Sequence, residues 1–129
     1  MKVRLIIGIC ILLCISCEGS YPIHTGEYGK YYPDMPENLQ GRIEGKMVIL
    51  SWTPSASDVA NKMQDKINYQ IWRDVNYLQP KTMIGKVNEG QTTFIDQKIK
   101  KGRVYRYSVI AYYQGNMSDP SLPIEIRNQ

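Results

Sequence analysis

Gly102-Arg-Val-Tyr-Arg-Tyr-Ser-Val-Ile-Ala-Tyr112 is the stretch that decides the fold. Successive side chains of an extended chain point to opposite faces. Tyr105, Tyr107, Val109 and Ala111 therefore share one face, and Arg106, Ser108, Ile110 and Tyr112 share the other. The first face suits a core and the second suits water or a partner, the pattern of an antiparallel strand covered on one side. The chain holds ten tyrosines and one phenylalanine. That bias fits a thin domain whose inward rings still reach polar partners with their hydroxyls.

The same alternation recurs upstream. In Lys46 to Trp52, Val48, Leu50 and Trp52 fall on one face, with Ile49 and Ser51 opposite. In Ile67 to Arg73, Ile67, Tyr69 and Ile71 face inward while Gln70 and Trp72 face outward. Shorter runs at 39–44, 83–87, 92–96 and 121–127 complete seven strands, separated by turn residues. No segment carries a sustained helical stripe of apolar residues. The expectation is an all-β fold, a seven-stranded immunoglobulin-like antiparallel β-sandwich over residues 37–129. Its core holds Leu50, Trp52, Tyr69, Ile71, Tyr105, Tyr107 and Val109.

These residues resemble the fibronectin type III family over residues 36–128. The resemblance is carried by Leu50-Ser-Trp52-Thr-Pro54, by Tyr69-Gln-Ile-Trp-Arg73, by Thr92-Thr-Phe-Ile-Asp96, and by Gly102 to Ala111 followed by Ser118-Asp-Pro-Ser121. It implies that Tyr105 is a corner tyrosine, with its ring in the core and its hydroxyl bonded to the chain just upstream. The chain departs from the family in an extended loop from Pro54 to Lys66, a place for a short helical turn or a binding surface, and in Lys100-Lys101 where a proline is common. Arg-Gly-Asp, the family's adhesive tripeptide, does not occur.

The N-terminus carries a different message. Lys2 and Arg4 precede an apolar run from Leu5 to Ile15, too short to span a bilayer and of the form of a secretory signal, residues 1–16. All three cysteines, Cys10, Cys14 and Cys17, lie in this region. Cleavage before Cys17 leaves a single thiol at the mature N-terminus with no intramolecular partner. Cys14 to Cys17 resembles the lipobox of bacterial lipoproteins, which implies acylation of Cys17 and attachment to a membrane; the alternative is an ordinary signal cleaved near Gly19 or Ser20. Either way the protein is exported, facing the periplasm or the cell surface or, without the lipid, secreted. Residues 17–36, rich in Pro, Gly and Tyr and without periodicity, read as the anchor cysteine and a tether. Tyr21, Tyr28, Tyr31 and Tyr32 are there to space the domain, to rest on the bilayer interface or to dock on the domain itself.

Sixteen Lys plus Arg oppose twelve Asp plus Glu, and two of the cations fall in the leader. So small a surplus, scattered along the sequence, excludes an electrostatically driven nucleic-acid binder. Catalysis has little to work with. Nucleophile activation needs a base, and the one histidine, His24, lies in the tether. Asp58, Asp65, Asp74, Glu89, Asp96 and Asp119 read as turn and loop-start residues, not as a converging acid/base pair. No Cys/His spacing suits a metal and no glycine-rich loop suits a phosphate, so neither metal nor cofactor is expected and the chain reads as non-enzymatic. What remains is binding. Trp72, Ile110 and Tyr112, with Arg106 beside them, face away from the core and have the composition of an interaction surface. The bland alternative is that Arg106 stacks over Trp72 and the side chains merely cover the sheet. The expected partner is a protein of the cell envelope; a glycan stacked on the aromatic rings, or a larger assembly completed by this chain, are the alternatives.

Overall fold

The computed structural model describes residues 30–129. The leader 1–16, Cys17, His24 and most of the tether lie outside them. The strands are β1 (Glu37–Glu44), β2 (Met47–Thr53), β3 (Asn68–Val75), β4 (Thr82–Val87), β5 (Thr93–Asp96), β6 (Arg103–Tyr113), β7 (Asn116–Met117) and β8 (Ile124–Asn128), with one short helix, α1 (Ala56–Ala60), after β2. They form two antiparallel sheets: β1-β2-β5, and a five-stranded sheet in which β3 lies between β4 and β6, and β7 and β8 both pair with the far side of β6.

The core lies between the sheets, where the alternation places it. Val48, Leu50 and Trp52 of β2 meet Tyr69 and Ile71 of β3 and Tyr105, Tyr107, Val109 and Ala111 of β6, all buried. The Trp52 and Tyr69 rings meet edge to face at 5.4 Å. Between β4 and β5 the sheets come so close that a β-carbon on Gly85 would fall 2.4 Å from the Phe94 ring. Glycine is required there by space.

Eight strands stand where the alternation predicts seven, because the last one is interrupted. Pro120 and Pro123 lack the N–H that a ladder needs. Two serines take over across the gap: the Ser118 hydroxyl accepts from Ala111 N and the Ser121 hydroxyl from Val109 N, each at 2.9 Å, while both serine N–H groups donate back to the same two residues. Hydroxyls thus replace backbone carbonyls along β6.

The ordered domain also begins earlier than the predicted end of the tether at residue 36. Tyr31 OH donates to Asp58 Oδ1 at 2.7 Å, Asp34 N donates to the same oxygen at 3.1 Å, and Asn116 Nδ2 donates to Tyr31 O at 3.0 Å. The Tyr31 ring stands edge-on to Tyr113 at 6.2 Å. Of the readings open to the tether tyrosines, docking on the domain is the one that Tyr31 takes. The loop from Pro54 to Lys66 supplies the acceptor: Ser55 caps α1 by accepting from Asp58 N at 2.9 Å, and that turn aims the fully buried Asp58 carboxylate at the strap. The chain therefore joins the sandwich at the pole formed by α1 and the β6–β7 turn.

Candidate functional site

The outer face of the five-stranded sheet collects the residues that sequence alternation sends away from the core. Across β3 and β6, Asn68 lies opposite Tyr112, Gln70 opposite Ile110, Trp72 opposite Ser108 and Asp74 opposite Arg106. On β4, Met83 lies opposite Trp72 and Lys86 opposite Gln70, and on β7 Met117 lies opposite Tyr112. Pairing thus places Trp72, Ile110, Tyr112, Met83 and Met117 on one continuous strip. Trp72, Ile110 and Tyr112 are half-buried, and Met83 and Met117 are exposed. The Trp72 indole N–H donates to Gln70 Oε1 at 3.3 Å, so its polar edge is engaged on the sheet. The strip is apolar and rimmed by the amide of Gln70 and the ammonium of Lys86.

Arg106 is not part of that strip, nor does it stack over Trp72. Its guanidinium makes a two-pronged pair with Asp74, Nε at 3.0 and 3.1 Å and a terminal nitrogen at 2.7 Å, and its carbon lies 4.8 Å from the centre of the Tyr77 ring. The bonds to Asp74 push its pKa further up, so the charge is fixed. The β3–β4 connection brings this about by folding back over the sheet. Asn76 and Tyr77 both take positive φ, 51° and 60°, a conformation unfavourable for a tyrosine. Asn76 is held by two bonds to Val104, N to O at 2.7 Å and Oδ1 from N at 2.9 Å. Further along, Gln79 Nε2 donates to Asp74 at 3.0 Å, Lys81 Nζ donates to the Ser108 hydroxyl at 3.3 Å, and the Tyr77 hydroxyl bonds Glu125. Asp74 and Ser108, outward by alternation, are thereby buried.

Three carboxylates read as turn residues prove to be buried anchors: Asp58 at 0%, Asp74 at 2% and Asp96 at 4% exposure. Burying a carboxylate is tolerable only where donors surround it. Asp96 accepts from Arg73 at 2.7 Å, from Tyr107 OH at 2.8 Å and from Lys98 N at 3.0 Å, while Arg73 also lies 5.2 Å over Tyr105. The three carboxylates share no donor among these bonds, and each forms a separate structural tie. Among the described residues no three His, Cys, Asp or Glu side chains come together as a metal set.

The tyrosines respond to these surroundings. Burial, then the bond to and charge of Asp58, raise Tyr31 far above the ordinary phenol range, and burial and Asp96 do the same to Tyr107. Burial, with a smaller push from Asp58, raises Tyr69 to about 12, and its hydroxyl has no hydrogen-bond partner among the described residues. Tyr105 behaves as the corner residue that the resemblance implies: its ring is buried and its hydroxyl accepts from Lys100 N at 2.6 Å.

No protein-family profile matches the chain. An amylopullulanase of Thermoanaerobacter thermohydrosulfuricus is 33% identical over 79 residues, which make up 61% of this chain and 5% of that protein. The chain thus spans about one-twentieth of the length of this curated relative. Among solved structures, a run of titin domains superposes with a TM-score of 0.63 at 24% identity, covering 76% of this chain and 32% of that one. The twitchin kinase region of C. elegans gives 0.64 at 23% identity, covering 75% and 17%, and a myokine gives 0.61 at 18%, covering 74% and 97%. Likeness at this level defines the fold: an all-β sandwich of the fibronectin type III and immunoglobulin-like kind.

Proposed function

We propose that this chain is a non-catalytic binding module, held at a membrane surface by lipid on Cys17, and that it engages a protein partner through the strip centred on Trp72. The observation that carries the reading is the continuity of Trp72, Ile110, Tyr112, Met83 and Met117 on a sheet face whose other half the protein covers with its own loop. Large apolar and aromatic side chains packed side by side at the surface are the usual anchors of protein interfaces. The lipid adds a second contribution, since confinement to a surface raises the effective concentration toward neighbours on it.

Two experiments test the two parts. Mass spectrometry of the N-terminal peptide from membrane-fractionated native protein is expected to show an acylated peptide headed by Cys17. A soluble protein with an unmodified N-terminus beyond Cys17 would overturn the anchor. Trp72→Ala in the full chain is expected to abolish crosslinks to a membrane neighbour while leaving the melting transition in place.

A second reading has a specific observation in its favour. The 79-residue likeness is to a protein whose name, amylopullulanase, denotes action on a glycan, and Trp and Tyr rings offer faces on which sugars stack. Retention on a pullulan column that is lost in Trp72→Ala would favour this reading over the protein partner.

A further inference from the structure

The pole opposite the one where the chain joins the sandwich carries a cationic cluster that the linear sequence does not reveal. Val48 pairs with Asp96, so the β1–β2 turn holding Lys46 sits beside the β5–β6 connection holding Lys98, Lys100 and Lys101. Arg103, the first residue of β6, pairs with Asn128 at the same end. All five cations are exposed, and none is in an ion pair among the described residues. The carboxylates nearby are already engaged: Glu44 with Arg42 at 3.2 Å, Asp96 with Arg73, and Glu125 with Tyr77 and Arg127. Cations scattered in sequence are thus gathered by the fold.

The loop presenting three of them is also held in one shape. Lys98 N donates to Asp96 at 3.0 Å, Lys98 O accepts from Arg73 at 3.3 Å, Lys100 N donates to the Tyr105 hydroxyl at 2.6 Å and Gly102 N donates to Asn128 O at 2.6 Å. Four backbone ties within residues 97–102 fix where the side chains start, which lowers the ordering cost of binding.

We infer that this pole is a docking site for an extended polyanion, an acidic polymer carrying repeated phosphate or carboxylate groups. Four of the five cations are lysines, compact point charges that follow charge density along a polymer, whereas arginine suits two-pronged recognition of one planar group. Orientation favours a polymer over the protein's own lipid surface, a point that depends on the anchoring reading, although the binding itself does not. The chain enters the sandwich at the opposite pole, and the eleven-residue β6 sets the two poles about 35 Å apart, so under that reading the cationic pole is the one farther from the lipid.

The test uses the full chain in a neutral detergent and inorganic polyphosphate, with binding followed against salt concentration. Each cation that neutralises a phosphate contributes about 0.7 to 0.9 to the slope of log affinity against log salt on nucleic acid. The triple variant Lys98→Gln, Lys100→Gln, Lys101→Gln is expected to bind more than about tenfold more weakly at low salt and to flatten that slope by about 2 to 3. A control removing three cations at the other pole, Lys30→Gln, Lys62→Gln, Lys66→Gln, is expected to change both much less, with the two variants melting alike. Equal weakening in both variants would reduce the effect to net charge and overturn the site. No binding by the wild type, or tighter binding per phosphate to phosphatidylglycerol vesicles than to polyphosphate, would overturn it as well. Because the detergent-solubilised chain is used, failure here leaves the Cys17 anchor and the Trp72 strip untouched.

Discussion

The outer face of the five-stranded sheet has two halves built on the same pair of strands and finished in opposite ways. Around Asp74, Arg106 and Ser108 the β3–β4 loop folds over the sheet, and every outward polar group there finds a partner within the chain. Around Trp72, Ile110 and Tyr112 no such loop bond is made among the described residues, and two exposed methionines extend the apolar strip. Alternation along a strand fixes the direction of a side chain, but only the neighbouring connection decides whether that direction leads to water. The closed half therefore belongs to stability, and the open half is the face to which the proposed recognition is assigned.

The largest expected effect lies in the closed half. Asp74→Ala removes a carboxylate that is 2% exposed and the acceptor of both Arg106 and Gln79. It is expected to cost about 2 to 3 kcal/mol in chemical denaturation, short of a fully buried pair because the guanidinium reaches solvent. Tyr77→Ala strips the ring from Arg106 and frees Glu125, and is expected to cost about 1 kcal/mol. In the open half, Met117→Ala, at a side chain 56% exposed, should stay within about 1 kcal/mol of wild type, while binding is weakened. A loss of stability there as large as that of Asp74→Ala would erase the distinction between the halves.

The smallest effect at neutral pH is expected on the inner side of the same strand. The Tyr69 hydroxyl is buried without a hydrogen-bond partner among the described residues, so Tyr69→Phe should be close to neutral at pH 7. Its signature lies in alkali. The phenol ionises near 10 in the unfolded chain and at about 12 in the folded one. The unfolded state loses its proton first, so this contribution to stability is intact below pH 10 and falls away between about pH 10 and 12. Tyr69→Phe should therefore make the alkaline loss of stability shallower, and Tyr31 and Tyr107 should sustain what remains. A pH profile of the denaturation midpoint measures this directly.

Much of this architecture is legible in the sequence because it follows from alternation. The inward set from Val48 to Ala111 and the outward placement of Trp72, Ile110 and Tyr112 need only a period of two. What the sequence conceals is the work of loops. Asp58, Asp74 and Asp96 carry the composition of turns, and no local pattern separates a solvated carboxylate from one surrounded by Tyr31, Arg106 or Arg73, residues 23 to 32 positions away. The regular spacing of Ser118 and Ser121 opposite Ala111 and Val109, either side of Pro120, is one signal that could have shown the interrupted last strand. The cationic pole is hidden for a related reason: Lys46 joins Lys98 to Arg103 only through the pairing of β2 with β5.

The most direct measurement of the open half is oxidative footprinting of the native protein in its membranes and after purification in detergent. Trp72, Met83, Tyr112 and Met117 all react with hydroxyl radical, and buried Trp52 and Met63 serve as internal references. The expected result is strong labelling of the four in purified protein and marked protection of them in native membranes, with Leu78 on the covering loop labelled alike in both. Equal labelling of Trp72 and its neighbours in the two preparations would contradict a binding role for this face.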